Sequence, residues 1–532
     1  MNRIAHLKEN RYDLIVIGGG SLGSGIARDA AQRGLSVLLL EKGDFGSGTS
    51  SRTSKIVHGG IRYLEQWDWG LVFESLRERL VLQRIAPHLV HPLPFLIPVY
   101  RSGPRPLWKI RIGLWIYDAL SLFRNPHRVR ILSGTEMLAL LPQLKSDGLA
   151  GGGAYFDSQM DDSRLVIENV LDARQHGASV VNYAKVIRMV TEGGRIGGVV
   201  VQDQLGTDEP SEIRGRIVVN AGGPWVTEIA AMCGESRPRI RMTQGTHIIV
   251  PEIARGHAVV VSPEKENRIF FVLPWHGYSL IGTTDIDFSG DPGDVKAKAD
   301  EIAYLVRETR KYFPALQLGE NDIISSFSGV RPLLEDAVSA PSSVSRRTRI
   351  VESKQGLISI AGGKMTTFRS TAERVVDRVG KRLARTDLRA CRTAEEPLYG
   401  AKFKKSFTEY RKERTAAWAK EFGIKEPVIS YLIGQYGMRA PEVLERIRND
   451  PGLALPISPG FPHIRAEIAY AVEMEMALTL SDFLRRRTGL ALDGLRVRRD
   501  LLEISRIMGK RLAWSDERCE AEVATYLRES AG

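Results

Sequence analysis

The sequence is poor in cysteine and contains no long apolar run. Three cysteines occur in 532 residues, and they lie far apart at Cys233, Cys391 and Cys519. Such spacing provides neither a disulfide framework nor a set of metal ligands, so we expect a reducing compartment and no metal site. No uncharged apolar stretch reaches the roughly 18 residues of a membrane span, and the first residues lack the apolar segment of a signal peptide. We therefore expect no transmembrane helix.

The sequence also has fewer acidic than basic residues. Its 75 Lys and Arg residues exceed its 63 Asp and Glu residues, which gives a net charge of +12. An excess of this size indicates an anionic partner. No recognised nucleic-acid-binding motif is present, so we expect no nucleic acid and consider an anionic membrane surface instead. The length and the 43% of hydrophobic residues predict a globular chain of more than one domain.

A glycine-rich motif near the N-terminus predicts a dinucleotide-binding site. A short apolar run that ends at Ile17 is typical of a buried parallel strand, and a helical pattern follows the motif. Gly18 would make the tight turn, Gly20 would let backbone amides approach a pyrophosphate, and Gly23 would let the helix pack closely on the strand. Glu41 closes the next strand, where a carboxylate can hold ribose hydroxyls. The motif is compatible with FAD or NAD, and its place near the N-terminus favours FAD.

Ten segments, in order along the chain, closely resemble one family. The segments are GGGSLGSGIARDAAQRGLSVLLLE, TSSRTSKIVHGGIRYLE, LVFESLRERLVLQRIAPHL, PLWKIRIGLWIYDAL, MDDSRLV, VVNAGGPWV, QGTHIIVP, IFFVLPWHGYSLIGTTD, SGVRPL and AGGKMTTFR. They resemble the FAD-dependent, respiratory, quinone-linked glycerol-3-phosphate dehydrogenases. The match is dense over residues 10–380 and loose over the rest. The Cys often found shortly before TSS in the family is absent. Leu22 replaces an Asn of the family pattern, and this replacement affects the expected details of flavin contact.

The resemblance implies an α/β fold with three parts. A Rossmann-like FAD-binding domain of the D-amino-acid-oxidase/glutathione-reductase type would be interleaved with a mostly antiparallel β-sheet substrate, or cap, domain. An all-α C-terminal domain would follow. The expected bounds are 10–395 for the oxidoreductase, with FAD-binding segments near 10–75, 155–235 and 345–390 and substrate segments near 76–154 and 236–344, and 396–532 for the helical domain.

The resemblance also implies which residues hold FAD. A polar loop of small residues, 46–62, lets backbone approach a planar ligand, and a second glycine turn at Gly362–Lys364 begins a helix. The expected cofactor-binding residues are Gly18, Gly20, Ser21, Leu22, Gly23, Glu41, Lys42, Thr49, Ser50, Ser54, Lys55, His58, Gly59, Val186, Ala221, Gly222, Trp225, Gly363, Lys364, Met365 and Thr366.

The substrate that the resemblance implies is sn-glycerol 3-phosphate, which would be oxidised to dihydroxyacetone phosphate. The reaction needs a cationic pocket for the phosphate, a base for the hydroxyl proton and a hydride acceptor. Arginine suits the phosphate because its planar fork can bind two oxygens. By motif matching we expect Arg331 and Arg346 to bind the phosphate, with Arg62, Tyr63 and Lys364 lining the site.

The catalytic base is left open. His58 in the loop 46–62, which we call the flavin loop, and His247 on a predicted strand are candidates, because an imidazole titrates near the working pH. Lys364 is a third candidate if neighbouring arginines lower its pKa. Together with Arg331, these residues make up the expected catalytic set.

Residues 104–130 contain six basic residues, tryptophans between them, and a single acidic residue, Asp118. This pattern is typical of an interfacial membrane anchor, and a core helix of the substrate domain with a solvated basic face is the alternative. Further on, residues 464–487 are predicted to form one long helix, and Arg485, Arg486 and Arg487 are expected to add to the basic surface.

These expectations define the leading hypothesis and its rivals. The chain would be a peripheral dehydrogenase on the cytoplasmic face of the inner membrane of a bacterium, and cytoplasmic otherwise, passing electrons to a quinone. A soluble oxidase that gives electrons to O₂ and makes H₂O₂, an amine or amino-acid oxidase of the same fold, and a flavin-binding scaffold are the rivals. The oligomeric state is left open, with a homodimer among the alternatives.

Overall fold

The computed structural model describes residues 3–206, 209–234, 238–263, 269–335 and 347–530. The strands are β1 (Arg11–Ile17), β2 (Val37–Leu40), β3 (Ile56–Val57), β4 (Val90–Tyr100), β5 (Arg130–Leu132), β6 (Leu149–Met160), β7 (Ser179–Val181), β8 (Ala184–Glu192), β9 (Arg195–Asp203), β10 (Ser211–Asn220), β11 (Ile240–Pro251), β12 (Ala258–Val261), β13 (Phe270–Trp275), β14 (Tyr278–Gly282), β15 (Ile286–Asp287), β16 (Ser325–Leu334), β17 (Thr348–Glu352) and β18 (Ile358–Gly362).

Helices α1 to α8 are distributed among these strands, and α9 to α15 come after the last strand. They are α1 (Ser21–Gln32), α2 (Trp69–Ile85), α3 (Leu107–Leu120), α4 (Gly134–Leu140), α5 (Asp162–Gln175), α6 (Val226–Ala231), α7 (Ala299–Tyr312), α8 (Phe368–Leu383), α9 (Phe407–Phe422), α10 (Glu426–Tyr436), α11 (Ala440–Asn449), α12 (Arg465–Glu473), α13 (Leu480–Asp482), α14 (Leu501–Leu512) and α15 (Asp516–Ser530). Within the described residues, no helix is both long and apolar enough to cross a bilayer.

The first sheet has the order β17-β18-β10-β1-β2-β7, and β8 and β9 extend it from β10. Strands β1, β2, β7, β10 and β18 run parallel, as expected for continuous apolar runs that are buried on both faces. Helices α1, α5 and α8 cover one face through a core that includes Val16, Ile26, Val170 and Val375. Ligands of such sheets bind at the carboxyl ends of the strands, which places the site at the β1 and β2 ends.

The second sheet contains β3–β6 and β11–β16, and most of its pairs are antiparallel. Strand β11 is central, because β14, β15 and β16 all pair with it. One face packs against α4 and α7, and the other packs against α2 and α3. The short strand β3, from the segment expected to bind FAD, joins this second sheet through β6. With the helical C-terminal region, the expected α/β fold class is confirmed.

The long helix predicted over residues 464–487 is wrong. Helix α12 ends before Met476, whose φ is +57°, and α13 begins a new turn that continues as a short π-helix. The Met476 carbonyl accepts a hydrogen bond of 2.9 Å from the Asn182 amide, and the Glu475 carboxylate pairs with Arg164 at 2.7 Å. These contacts with the first domain override a locally helical pattern.

Two of the three arginines expected on the basic surface are buried instead. Arg486 and Arg487 are 8% and 1% exposed, and both donate to the carboxylate of Asp44 in the loop after β2. Burial alone would raise the pKa of Asp44, but Arg487 and Arg486 outweigh it and hold that pKa at about 2. Arg486 also pairs with Asp482 at 2.7 Å. The C-terminal domain is therefore attached to the first domain by a buried ionic cluster.

Replacing Arg487 by Ala is expected to lower the free energy of unfolding by about 3–5 kcal/mol, because Asp44 would stay buried with half of its compensating charge removed. Urea unfolding of the purified protein measures this change. Arg448→Ala is the control, because Arg448 pairs with Glu421 on the surface of the same domain and such pairs contribute about 1 kcal/mol or less. Equal losses in the two variants would contradict a stabilising role for the buried cluster.

Candidate active site

The turn between β1 and α1 leaves no room for side chains. Gly18 has φ +106°, and a Cβ there would lie 2.6 Å from the Ala221 carbonyl oxygen. A Cβ at Gly23 would lie 1.8 Å from the Gly18 carbonyl oxygen, and one at Gly20 would lie 2.9 Å from the Ser50 hydroxyl. Backbone contacts thus require a glycine at positions 18 and 23, whereas at position 20 the Ser50 side chain would have to move. The backbone cradle that they form has the shape needed for the pyrophosphate of a dinucleotide.

Glu41 is held at the end of β2 by two backbone amides. Its carboxylate accepts hydrogen bonds from Gly19 at 2.7 Å and from Gly43 at 2.9 Å. Burial nevertheless raises the pKa of Glu41 above its ordinary value. Each carboxylate oxygen can accept a further bond, so both remain able to bind ribose hydroxyls. Beside Glu41, the Lys42 ammonium lies 3.7 Å from the ring centroid of Trp225, which closes this end of the groove.

Most residues expected to hold FAD line one elongated cavity at the ends of these strands. The expected residues that line it are Gly18, Gly20, Ser21, Leu22, Glu41, Lys42, Thr49, Ser50, Val186, Ala221, Gly222, Trp225, Gly363, Lys364 and Met365. They come from five separate parts of the sequence. The structure therefore brings them together as a dinucleotide site would require.

A second cavity lies between the first domain and the second sheet. It is lined by the other expected flavin residues Ser54, His58 and Thr366, and by Arg62, Tyr63, His247, Arg331 and Lys364. Six residues line both cavities, namely Thr49, Thr53, Pro332, Gly363, Lys364 and Met365. The dinucleotide groove therefore continues into the cavity that carries the expected substrate-binding residues.

Two expected cofactor residues, Lys55 and Gly59, lie behind the flavin loop and support it. The Lys55 ammonium pairs with the buried carboxylate of Asp162 and donates to the Ser51 carbonyl at 2.8 Å. The Gly59 amide donates to the Tyr117 hydroxyl at 2.8 Å, and a Cβ at Gly59 would collide with that hydroxyl. These contacts fix the loop conformation from its protein side.

Arg331 on β16 is oriented by groups of the segment that links β14 to β15. Its guanidinium donates to the Thr283 hydroxyl at 2.8 Å and to the Asp285 carboxylate at 3.1 Å. A Cβ at Gly245 would lie 2.3 Å from Arg331 Nη2, so the absence of a side chain there makes room for the guanidinium. Arg331 thus lies in a fixed position in the second cavity.

Lys364 connects the second glycine turn to the flavin loop. Its ammonium donates to the His58 carbonyl and lies 5.4 Å from the ring centroid of Tyr63. The Thr366 hydroxyl donates to the same carbonyl at 3.4 Å. The two segments that would flank a flavin ring are therefore joined at His58, and Lys364 presents its charge at the junction of the two cavities.

His247 is a buried, neutral imidazole in the second cavity. Its Nε2 lies 2.8 Å from the Ser54 hydroxyl, and its ring stacks on Phe327 with centroids 4.9 Å apart. Burial, followed by the charges of Arg331 and Lys55, lowers the pKa of His247 well below its ordinary value. Burial and the neighbouring cations thus disfavour the protonated imidazole, and the role of His247 as the base stays a prediction.

Sequence reasoning missed Arg52, Thr283 and Asp285, which also line the second cavity. Arg52 stands within the conspicuous loop TSSRTSK, so its charge could have been noticed there. Thr283 and Asp285 act through Arg331, and only the pairing of strands brings them together. Arg346, expected to bind phosphate, lies outside the described residues.

Replacing Gly23 by Ala is expected to abolish retention of FAD, the dinucleotide that the resemblance implies, because the new methyl group would overlap the Gly18 carbonyl and open the turn. The flavin absorbance per mole of protein after gel filtration measures retention. Gly434→Ala is the matched control, since Gly434 is also helical and a Cβ there would have no atom within 4 Å. Full flavin content in the Gly23 variant would show that the close approach is dispensable.

Two family models match the chain. The FAD dependent oxidoreductase family matches residues 13–376, and the C-terminal domain of alpha-glycerophosphate oxidase matches residues 391–519. The first match covers both sheets, and the second covers helices α9 to α14.

Similar proteins and a similar structure agree with these matches. A glycerol-3-phosphate dehydrogenase of Synechocystis sp. is 38% identical over 99% of this chain and 97% of its own length. An aerobic glycerol-3-phosphate dehydrogenase of Staphylococcus aureus is 35% identical over 91% of this chain and 88% of its own. The structure of glycerol-3-phosphate dehydrogenase from Bacillus halodurans complexed with FAD has a TM-score of 0.83, with 30% identity over 99% of this chain and 97% of that one. The chain belongs to the FAD-dependent glycerol-3-phosphate dehydrogenase family.

Proposed function

We propose that this protein oxidises sn-glycerol 3-phosphate to dihydroxyacetone phosphate by hydride transfer to FAD, and that the electrons pass on to a membrane quinone. The observation that supports the substrate most directly is the continuity of the two cavities. The dinucleotide groove opens at Lys364 into a cavity that holds Arg62 and Arg331. A phosphorylated alcohol bound there would have its charged end on cations and its carbinol end at the junction with the groove.

The phosphate is recognised by charge and by geometry. Arg331 provides a planar fork that its contacts with Thr283 and Asp285 hold in place. A fork of this kind binds two phosphate oxygens at once, which fixes the orientation of the substrate. Arg62 and Lys364 line the same cavity and add positive charge for a dianion. A substrate with an ammonium group in place of the phosphate would be repelled by these cations, and one with a neutral group would lose their attraction.

The hydroxyl proton needs an acceptor near the carbinol carbon. His247 lines the cavity as a neutral imidazole, and its hydrogen bond with Ser54 holds the ring in one orientation. FAD, when bound, supplies the hydride acceptor. Arg331 and Lys364 then hold the phosphate of the substrate, and His247 takes the hydroxyl proton. The burial of the cavity limits the access of water.

The identity of the electron acceptor separates the proposal from its nearest rival. The family model that matches the C-terminal region is named after an oxidase, so transfer to O₂ is the alternative. An amine or amino-acid oxidase is disfavoured, because the cavity contains several cations and would repel an ammonium group. We favour a quinone because one face of the molecule has the character of a membrane-binding surface.

That face is formed by α3 and the start of α2. Helix α3 buries Leu114 and Tyr117 against the second sheet and leaves Trp108 and Trp115 65% and 59% exposed. Trp67, Trp69, Phe73, Ile112, Leu122 and Phe123 are exposed as well, and so are the basic residues Arg101, Lys109, Arg111, Arg124, Arg128 and Arg130. One side of the helix is thus core and the other is apolar surface with a basic border, as in interfacial anchors.

Anaerobic addition of sn-glycerol 3-phosphate to the yellow protein is expected to bleach the flavin band, whereas glycerol, lactate and D-alanine are not. Arg331→Ala should lower kcat/KM for glycerol 3-phosphate by about 2–4 kcal/mol in transition-state free energy, since the phosphate would lose its fork. Arg310→Ala removes an exposed arginine of α7 and should change nothing. A flavin that stays oxidised with glycerol 3-phosphate would refute the proposed substrate.

The double variant Trp108→Ser with Trp115→Ser is expected to bind phosphatidylglycerol vesicles at least about tenfold more weakly than the unmodified protein, since two aromatic anchors are lost. Vesicle sedimentation at low salt measures this, and high salt should release part of the bound protein. Leu455→Ser, at a half-exposed leucine of the C-terminal domain, is the control. Unchanged sedimentation of the double variant would remove α3 from the proposed membrane face.

A further inference from the structure

Arg52 lies next to Arg331 over a pair of glycines. Gly245 on β11 and Gly329 on β16 are register partners. A Cβ at Gly329 would lie 2.9 Å from Arg52 Cβ, and a Cβ at Gly245 would lie 2.3 Å from Arg331 Nη2. Cβ positions of paired residues point to the same face and lie roughly 4.5–5.5 Å apart. The two arginines therefore occupy neighbouring places on the floor of the second cavity, which both of them line.

The charge of Arg52 is poorly balanced within the protein. Its guanidinium donates to the Ser328 carbonyl at 3.4 Å, and among the described residues no carboxylate lies within ion-pairing distance of it. Arg331, by contrast, pairs with Asp285. A half-buried cation with only a long hydrogen bond to a neutral carbonyl is incompletely compensated, and it gains from an anion that enters the cavity.

Charged groups of the C-terminal domain also act on Arg52. Burial, followed by repulsion from Arg485 and Arg486, lowers the pKa of Arg52 to about 10. The guanidinium is therefore still charged at neutral pH. Glu529 acts in the opposite direction to Arg485 and Arg486, so the C-terminal domain provides more positive than negative charge near Arg52 and leaves its cation incompletely compensated.

We propose that Arg52 is a further anion-binding residue of the substrate cavity, and that its guanidinium joins Arg331 in holding a phosphate group. The proposal rests on the proposed function for the identity of the phosphorylated substrate. It adds a cation that the flavin loop itself contributes, so that one loop would contact both the cofactor and the anionic end of the substrate.

The test uses FAD-loaded protein and inorganic phosphate as the probe. Arg52→Gln is expected to weaken phosphate binding, measured by calorimetry, on the order of tenfold. Arg52→Lys keeps the charge but loses the fork, so we expect a loss of about threefold. Arg310→Gln removes the same charge from exposed α7 and should bind phosphate as the unmodified protein does. Flavin content and thermal unfolding establish that each variant is folded.

Steady-state kinetics provide a second readout. Arg52→Gln should raise KM for glycerol 3-phosphate with little change in kcat, as expected when binding common to the ground state and the transition state is removed. Unchanged phosphate affinity in Arg52→Gln would overturn the proposal, and if that variant fails to fold, unchanged affinity in Arg52→Lys would do so. Arg52-dependent phosphate binding by a protein that glycerol 3-phosphate does not reduce would support the anion site while refuting the proposed substrate.

Discussion

Buried ion pairs hold the loop on which both halves of the site depend. The segment from Asp44 to Tyr63 begins beside the nucleotide end of the groove and ends in the substrate cavity. Arg486 and Arg487 hold its first part through Asp44, and Asp162 holds its middle through Lys55. Because removing one partner of a buried pair leaves an uncompensated charge, these contacts strongly disfavour other loop conformations. Loop geometry, and with it the relative position of the two cavities, is set by electrostatics.

The same interactions explain the helical C-terminal domain. Arg164 and Glu168 on α5 pair with Glu475 and Arg439, so the domain is joined to the helix that also provides Asp162. These ion pairs are directional, so they fix one orientation of the C-terminal domain relative to α5. Some of the arginines that give the chain its positive charge are therefore buried and paired inside the protein. Through Arg486, Arg487 and Asp44, the C-terminal domain also holds the start of the flavin loop in place.

Local and distant contacts differ in how far the sequence reveals them. The turn at Gly18–Gly23 could be predicted because the strand, the glycine pattern and the helix that define it follow one another directly in the sequence. The burial of Arg487 could not, since its partner Asp44 is more than four hundred residues away and an Arg triplet is usually solvated. The break near Met476 has the same cause, namely contacts with Asn182 and Arg164 that periodicity does not contain. Arg52 was missed because its place depends on two glycines of remote strands.

One segment of the chain joins the substrate cavity to the exposed apolar face. Arg62 and Tyr63 line the cavity, whereas Glu65 pairs with Arg105 and Lys109 beside Trp108. In the proposed function, a bilayer that receives the aromatic side chains of α3 would therefore contact a segment that continues, within a few residues of sequence, to the residues that line the substrate cavity. In the proposed function, the exposed tryptophans would serve a membrane acceptor, whereas transfer to O₂ needs no such face.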